Sequence, residues 1–177
     1  GLLERAIRDG LCPAFAGDDG VMRCEREYRA RLHSEGKAAA YAFQSQIFAG
    51  MTEAPLVDAA RAAFETELAG WLFAEALSWW RVLELAVVRC WVLSASPEFF
   101  VKAAAGPLGV PEARCSGMRL QRDPDGRLRG ELAGPATVGE GKVKRMRELL
   151  SEMQAAEPGR AFHPVAAFGN DTQSDGP

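Results

Sequence analysis

Apolar residues recur along this chain with two different periods, and the changes of period mark the elements. Leu2, Leu3, Ala6 and Ile7 fall on one side of a helical wheel with Glu4, Arg5 and Arg8 elsewhere, and Gly10 supplies a stop. From Val21 to about Phe73 the helical spacing persists, broken near Ser34-Glu35-Gly36, Gly50 and Pro55. Tyr41, Phe43, Ile47, Phe48 and Met51 form the apolar stripe of this block, a pattern that ordinarily serves packing. Gln44 and Gln46 beside it are weak candidates for ligand contacts. Ala74 to Leu85 predicts a further amphipathic helix carrying Trp79 and Trp80. The pattern then changes. Val87-Val88-Arg89-Cys90-Trp91-Val92-Leu93 is a short β-rich run suited to a buried parallel strand. Ser96 as N-cap, Pro97 at the first helical position and Glu98 in the first turn predict a helix from Pro97 to about Ala105.

Beyond it, Cys115 to Gln121 and Arg127 to Leu132 read as extended arms around Asp123-Pro124-Asp125-Gly126, a hairpin signal. Val143, Met146, Leu149, Leu150 and Met153 keep helical spacing and predict a helix from about Gly141 to Ala155. Pro164-Val165-Ala166-Ala167-Phe168 reads as a last short strand. Strands alternating with helices give an α/β class, with the block at 14–73 as an all-helical insert. The chain begins within a helix, so the core strand that normally precedes such a helix is expected before Gly1. Neither end reads as a domain boundary.

Size and charge narrow the picture. The 177 residues suffice for one domain with a core and a small inserted subdomain. Twenty-one basic against 24 acidic residues give a net charge of −3, without the clustered basic face of a nucleic-acid binder, so a small neutral or anionic ligand is the easier expectation. Lys142, Lys144, Arg145 and Arg147 are grouped on one helix and read first as a solvated face. Cys12, Cys24, Cys90 and Cys115 show no C-x-x-C spacing, which points to reduced thiols and a cytoplasmic protein. Glu75, Arg81, Glu84 and Arg89 interrupt the most apolar region, far short of the ~18 to 20 apolar residues of a membrane span.

Three short segments carry chemistry. Ser94 follows the β-rich run and precedes a helix, and ligands of open α/β sheets bind beyond the carboxyl ends of strands. Its hydroxyl, with the free N–H groups that follow, among them that of Ala95, suits a phosphate or carboxylate; Ser94 and Ser96 read equally well as capping residues. Asp171 and Asp175, in Gly169-Asn170-Asp171-Thr172-Gln173-Ser174-Asp175, follow the last short strand, and a carboxylate pair there suits Mg²⁺; an Asp-rich loop is also an ordinary turn. Lys142 opens a helix after Gly139-Glu140-Gly141 and can neutralise phosphate or hold a carboxylate. A P-loop reading fails, because Val143 replaces the hydroxyl residue and Ala136 the first glycine.

Together Trp91-Val92-Leu93-Ser94-Ala95-Ser96, Gly139-Glu140-Gly141-Lys142 and Gly169-Asn170-Asp171-x-x-x-Asp175 resemble motifs II, III and IV of the haloacid dehalogenase-like superfamily over essentially the whole chain. The helical block and the hairpin resemble its phosphoserine phosphatase-like branch. The resemblance implies a Rossmann-like parallel core at 1–13 and 74–177, incomplete at both ends, and a helical cap at 14–73. It implies a Mg²⁺-dependent phosphomonoesterase working through an aspartyl-phosphate on a small phosphorylated metabolite such as phosphoserine or phosphocholine, with a homodimer allowed. Ser94 and Ala95 would bind the phosphoryl group, Lys142 would neutralise charge, and Asp171 with Asp175 would hold the metal. Tyr41, Trp71 or Trp79 facing a quaternary amine is the less ordinary use of those rings, packing the more common one. Two departures stand out. Asn170 separates Gly169 from Asp171, and no hydrophobic strand followed by Asp-x-Asp is present, Asp18-Asp19-Gly20 lacking both strand and spacing. The nucleophile is therefore expected before Gly1, and this chain is expected not to turn over. The alternative is a catalytically inactive binding or interaction protein on the same fold; a mutase or dehalogenase also fits.

Overall fold

Helices fill the first half of the chain, and strands and helices share the second. The structure, a computed structural model, describes residues 2–169. α1 (Leu2–Arg8), α2 (Gly20–Ser34), α3 (Lys37–Gln46), α4 (Glu53–Ala63) and α5 (Ala74–Leu85) precede β1 (Val92–Pro97), α6 (Glu98–Ala105), β2 (Cys115–Met118), β3 (Leu120–Arg122), β4 (Leu128–Leu132) and α7 (Glu140–Ala156). β1 and β2 pair in parallel and are joined through α6, the crossover that parallel strands require. β3 and β4 form an antiparallel hairpin. The α/β class read from the sequence is the one observed.

Gly36, at φ 88°, lets the chain reverse between α2 and α3. The hairpin turn is built by Asp123, whose Oδ1 accepts the N–H groups of Asp125 at 3.0 Å and Arg127 at 2.8 Å. Packing unites the helices with the strand region. Cys24 of α2, Phe43 of α3, Leu56 and Ala60 of α4, Phe99, Phe100 and Ala103 of α6, and Leu120 and Leu128 of the hairpin belong to one buried cluster. At its centre Phe48, 0% exposed, meets Phe99 and Phe100 edge-on with ring centroids 5.4 Å away in each case. Full burial of one such ring contributes about 1.5–3 kcal/mol.

Three expectations change. The strand anticipated at 87–93 lies at Val92–Pro97. The cause is the end of α5: Val87 and Val88 donate to Glu84 and Leu83 carbonyls, and the Glu84 carboxylate accepts the Cys90 N–H while binding Arg114, so this backbone finishes a helix instead of joining a ladder. The same Arg114 contact, with the Cys90 N–H, holds the Glu84 carboxyl below its ordinary value. Second, the arm anticipated at 115–121 divides at Arg119, its first part pairing with β1 and its second with β4. Third, residues 164–168 form no strand, and Val165 and Phe168 are exposed; β-propensity makes a strand only where a ladder partner and packing exist.

Val87 is the one described non-glycine residue with positive φ, at 61°. Its N–H bonds the Glu84 carbonyl and that of Val88 the Leu83 carbonyl, a Schellman ending whose left-handed position is normally glycine. A β-branched residue there is strained by about 1–2 kcal/mol. Val87→Gly is expected to raise unfolding free energy by about 0.5–1 kcal/mol after the extra entropy of glycine is deducted, read by denaturant melts; an unchanged midpoint would show that the strain is absent. The thiols give a second test. Cys12, Cys24 and Cys115 are buried and Cys90 half-buried; burial, with the neighbouring Cys24, pushes the Cys12 thiol up to about 12. A thiol reagent is expected to label Cys90 first in the folded chain and all four cysteines in denaturant, equal rates at Cys12 and Cys90 being the contrary result.

Candidate active site

The register of the parallel pair places the first candidate residues. Leu93 stands opposite Ser116 and Pro97 opposite Met118, so Ser94, Ala95 and Ser96 face the single residue Gly117 and bulge from the ladder. Gly117 permits this: a Cβ there would lie 2.5 Å from the Ser96 carbonyl oxygen and 2.8 Å from the Glu98 Cα. Ser94 thus sits within β1 at an irregularity, not after the strand as its sequence suggested. Its Oγ accepts the Ser96 N–H at 3.1 Å, so the local capping use of this serine is present in the structure. Ala95 packs with Ala42, Met118 and Val138, a cluster that Tyr41 also joins, which brings α3 over the bulge.

Lys142 occupies the third position of α7, and two glycines shape the approach. Gly139 has φ 52°, and a Cβ on Gly141 would lie 1.6 Å from the Ala136 carbonyl oxygen, so the first turn of α7 folds directly against the preceding loop. From that loop Thr137, 1% exposed, donates its hydroxyl to the Ser94 carbonyl at 2.5 Å. α7 also touches β1. Ser94 and Lys142, 48 positions apart, are thereby joined through one short loop.

Arg145 corrects the reading of a solvated basic face. Lys144 and Arg147 are exposed, but Arg145 is 5% exposed. Its Nε donates to Ser116 Oγ at 2.9 Å, and its Nη1 meets Glu148 at 2.9 Å and Glu152 at 2.8 Å. Burial opposes its charge, and the Glu152 and Glu148 carboxylates outweigh that, holding the guanidinium above its ordinary value. Ser116 in turn donates to Glu98 Oε2 at 3.4 Å, which also accepts the Gly117 N–H at 3.3 Å, while Glu98 Oε1 takes Lys102 at 2.8 Å. Thr137, Ser116 and Arg145 gave no sequence signal, because a threonine in a loop and a basic residue on a helix are ordinary until the fold buries them.

Asp171 and Asp175 lie outside the described residues. Among those described, no group of three or more His, Cys, Asp or Glu side chains is placed to hold a metal ion. What Ser94, Ala95 and Lys142 carry is hydroxyl, N–H and ammonium, donors that suit an anion; Mg²⁺ needs hard oxygen ligands, which an N–H and an ammonium do not offer. Asp123-Pro124-Asp125, an Asp-x-Asp by sequence, is the hairpin turn with Asp123 bonded to backbone. An open groove of about 430 Å³ on α5, lined by Ala74, Glu75, Ser78, Trp79 and Val82, includes none of these site residues.

The chain can now be set beside known proteins. No curated protein sequence matches it. A crystal structure of a protein with unknown function from Bordetella pertussis Tohama I superposes with a TM-score of 0.67 at 19% identity, over 86% of this chain and 68% of that one. A conserved functionally unknown protein from Anaerococcus prevotii DSM 20548 gives a TM-score of 0.55 at 15% identity, over 77% of this chain and 48% of that one. At such identities these neighbours speak for the fold alone, and the chain spans only part of each. The family model of the haloacid dehalogenase-like hydrolases matches residues 3–177, nearly the full length, and the parallel pair joined through a helix agrees with it, so the chain belongs to the haloacid dehalogenase-like hydrolases.

Proposed function

We propose that this chain forms the phosphoryl-binding part of a phosphatase acting on a small phosphorylated metabolite. The observation that supports the reading best is the junction of the Ser94 bulge with the loop that opens α7 at Lys142, made by the Thr137 hydroxyl on the Ser94 carbonyl at 2.5 Å. It ties the irregular part of β1, with the Ser94 hydroxyl and the Ala95 N–H, to the loop that leads to Lys142. In this reading Ser94 turns its hydroxyl from the Ser96 N–H to a phosphoryl oxygen, and the Ala95 N–H donates to the same group. Lys142 balances the charge that grows as phosphorus is attacked, where fixed donors act without reorganising. Asp171 and Asp175 are the residues that would hold Mg²⁺, which when bound supplies further charge neutralisation. The helical block at 14–73 serves as cap and selects the leaving group; that Tyr41 shares a packing cluster with Ala95 supports this placement. No Asp-x-Asp follows a hydrophobic strand within the 177 residues outside the hairpin turn, so this chain binds a phosphoryl group without turning it over.

The reading is tested by titrating inorganic phosphate into the chain. Saturable binding is expected, with Lys142→Ala weakening it by about tenfold or more and Ser94→Ala by severalfold, in proportion to a charged and a neutral hydrogen bond respectively. Equal binding by Lys142→Ala would overturn the assignment of that lysine. Incubation with an aryl phosphate and Mg²⁺ is expected to release no phosphate above background; release that requires both Mg²⁺ and Asp171 would show that the nucleophile lies within these residues.

A further inference from the structure

Ser94 stands outside the paired positions of the β1–β2 ladder, because the register jumps from Leu93 to Pro97. Bulged residues are left out of the ladder pairing, so contacts other than ladder hydrogen bonds hold them. Its carbonyl is held by Thr137, a residue 43 positions away, through a 2.5 Å hydrogen bond from a hydroxyl that is almost fully buried. The same loop, five residues later, delivers Lys142. Between them Val138 is buried in the cluster that contains Met118 and packs Ala95, and Gly141 closes against the Ala136 carbonyl. Moving the Thr137 hydroxyl therefore moves the bulge and the start of α7 relative to one another.

A second tie acts three residues after Lys142. Arg145, buried on α7, donates to Ser116 of β2, the residue paired with Leu93, and Ser116 bonds the Glu98 carboxylate at the start of α6. Residues three apart share a helix face, so anchoring Arg145 to the strand fixes the rotation of α7 and with it the direction of Lys142. A purely local role for Thr137 would have its hydroxyl bonded to nearby backbone, as threonines in loops usually do. Here it spans the two halves of the site.

We propose that Thr137 is the positioning residue of the phosphoryl site: its hydroxyl sets Ser94 and Lys142 at a common working distance, with Arg145 on Ser116 as the second anchor. The inference rests on the phosphoryl-binding reading above. Thr137 touches no substrate in this role and acts through the Ser94 backbone, so its contribution depends on the hydroxyl and not on side-chain bulk.

The test compares Thr137→Val, which keeps the shape and deletes the hydroxyl, with Thr137→Ser, which keeps the hydroxyl. Inorganic phosphate is titrated into each 177-residue chain while the backbone amide signals of Ser94, Ala95 and Lys142 are followed by NMR. Thr137→Val is expected to melt cooperatively, to lose affinity by about tenfold, and to shift the free-state amides of both the bulge and Lys142, whereas Thr137→Ser stays within about twofold of the parent. Ser116→Ala, which removes the Arg145 anchor and leaves Thr137 in place, is expected to lower affinity by about threefold. Unchanged affinity and unmoved Lys142 signals in a folded Thr137→Val chain would overturn the positioning role while leaving the phosphoryl reading intact. Should Thr137→Val lose its cooperative melt, Thr137→Ala is read in its place on the same two signals, unchanged affinity with an unmoved Lys142 amide overturning the proposal and a loss with a shifted amide supporting it. Absence of phosphate binding by the parent chain would overturn the phosphoryl reading and this role with it.

Discussion

The burial of α6 is the constraint on which the rest of the structure depends. Phe99, Phe100 and Ala103 enter the cluster formed with α3, α4 and the hairpin, while Val101 and Ala105 enter another with Trp80 of α5, Val92 of β1 and Cys115 of β2. A helix apolar on nearly every side is stable only when surrounded, and each buried ring contributes about 1.5–3 kcal/mol toward keeping it so. Because α6 leaves β1 and leads to β2, fixing it fixes both strands. The helices of the first half, though distant in sequence from the strands, secure the parallel pair by packing on this connection and, through Ala42 and Trp80, on the strands themselves.

Polar contacts then refine what apolar packing has placed. Glu98 at the start of α6 binds Lys102, Ser116 and the Gly117 N–H, and Arg145 extends the chain of contacts to α7. Buried charges are costly unless paired, and here each has partners: Arg145 has two carboxylates and a hydroxyl. Such a network is directional where hydrophobic burial is not. It links the start of α6, β2 and α7 through named polar contacts.

Glycine has a specific part in this geometry at two places. Gly117 allows three residues of β1 to pass opposite one residue of β2, and Gly141 allows the first turn of α7 to close on the Ala136 carbonyl. In both cases a methyl group would occupy space taken by backbone atoms, which cannot move aside as a flexible side chain can. The bulge and the helix start are thus backbone features permitted by missing side chains. Membership of the haloacid dehalogenase-like hydrolases gives these features a chemical setting.

Much of the fold was legible in the sequence where local pattern decides it. α5 at Ala74–Leu85 and α7 at Glu140–Ala156 follow from apolar spacing, α6 from Pro97 and Glu98 at its start, and the hairpin turn from Asp123 to Gly126, because helix periodicity and turn chemistry act between neighbours. The family was legible for the same reason: residue type and spacing are local. The extent of β1, the division of the arm at Arg119 and the absence of a strand at 164–168 were not, since a strand exists through partners supplied from elsewhere. Nor did any local signal separate Thr137 and Arg145 from an ordinary loop threonine and a surface arginine. The sequence by itself determined the helices, the turn and the family; the tertiary structure decided the strand register, the bulge at Ser94 and the burial of Thr137 and Arg145. The physical reason is that ladder pairing and burial depend on contacts between residues tens of positions apart, whose energies no local pattern contains.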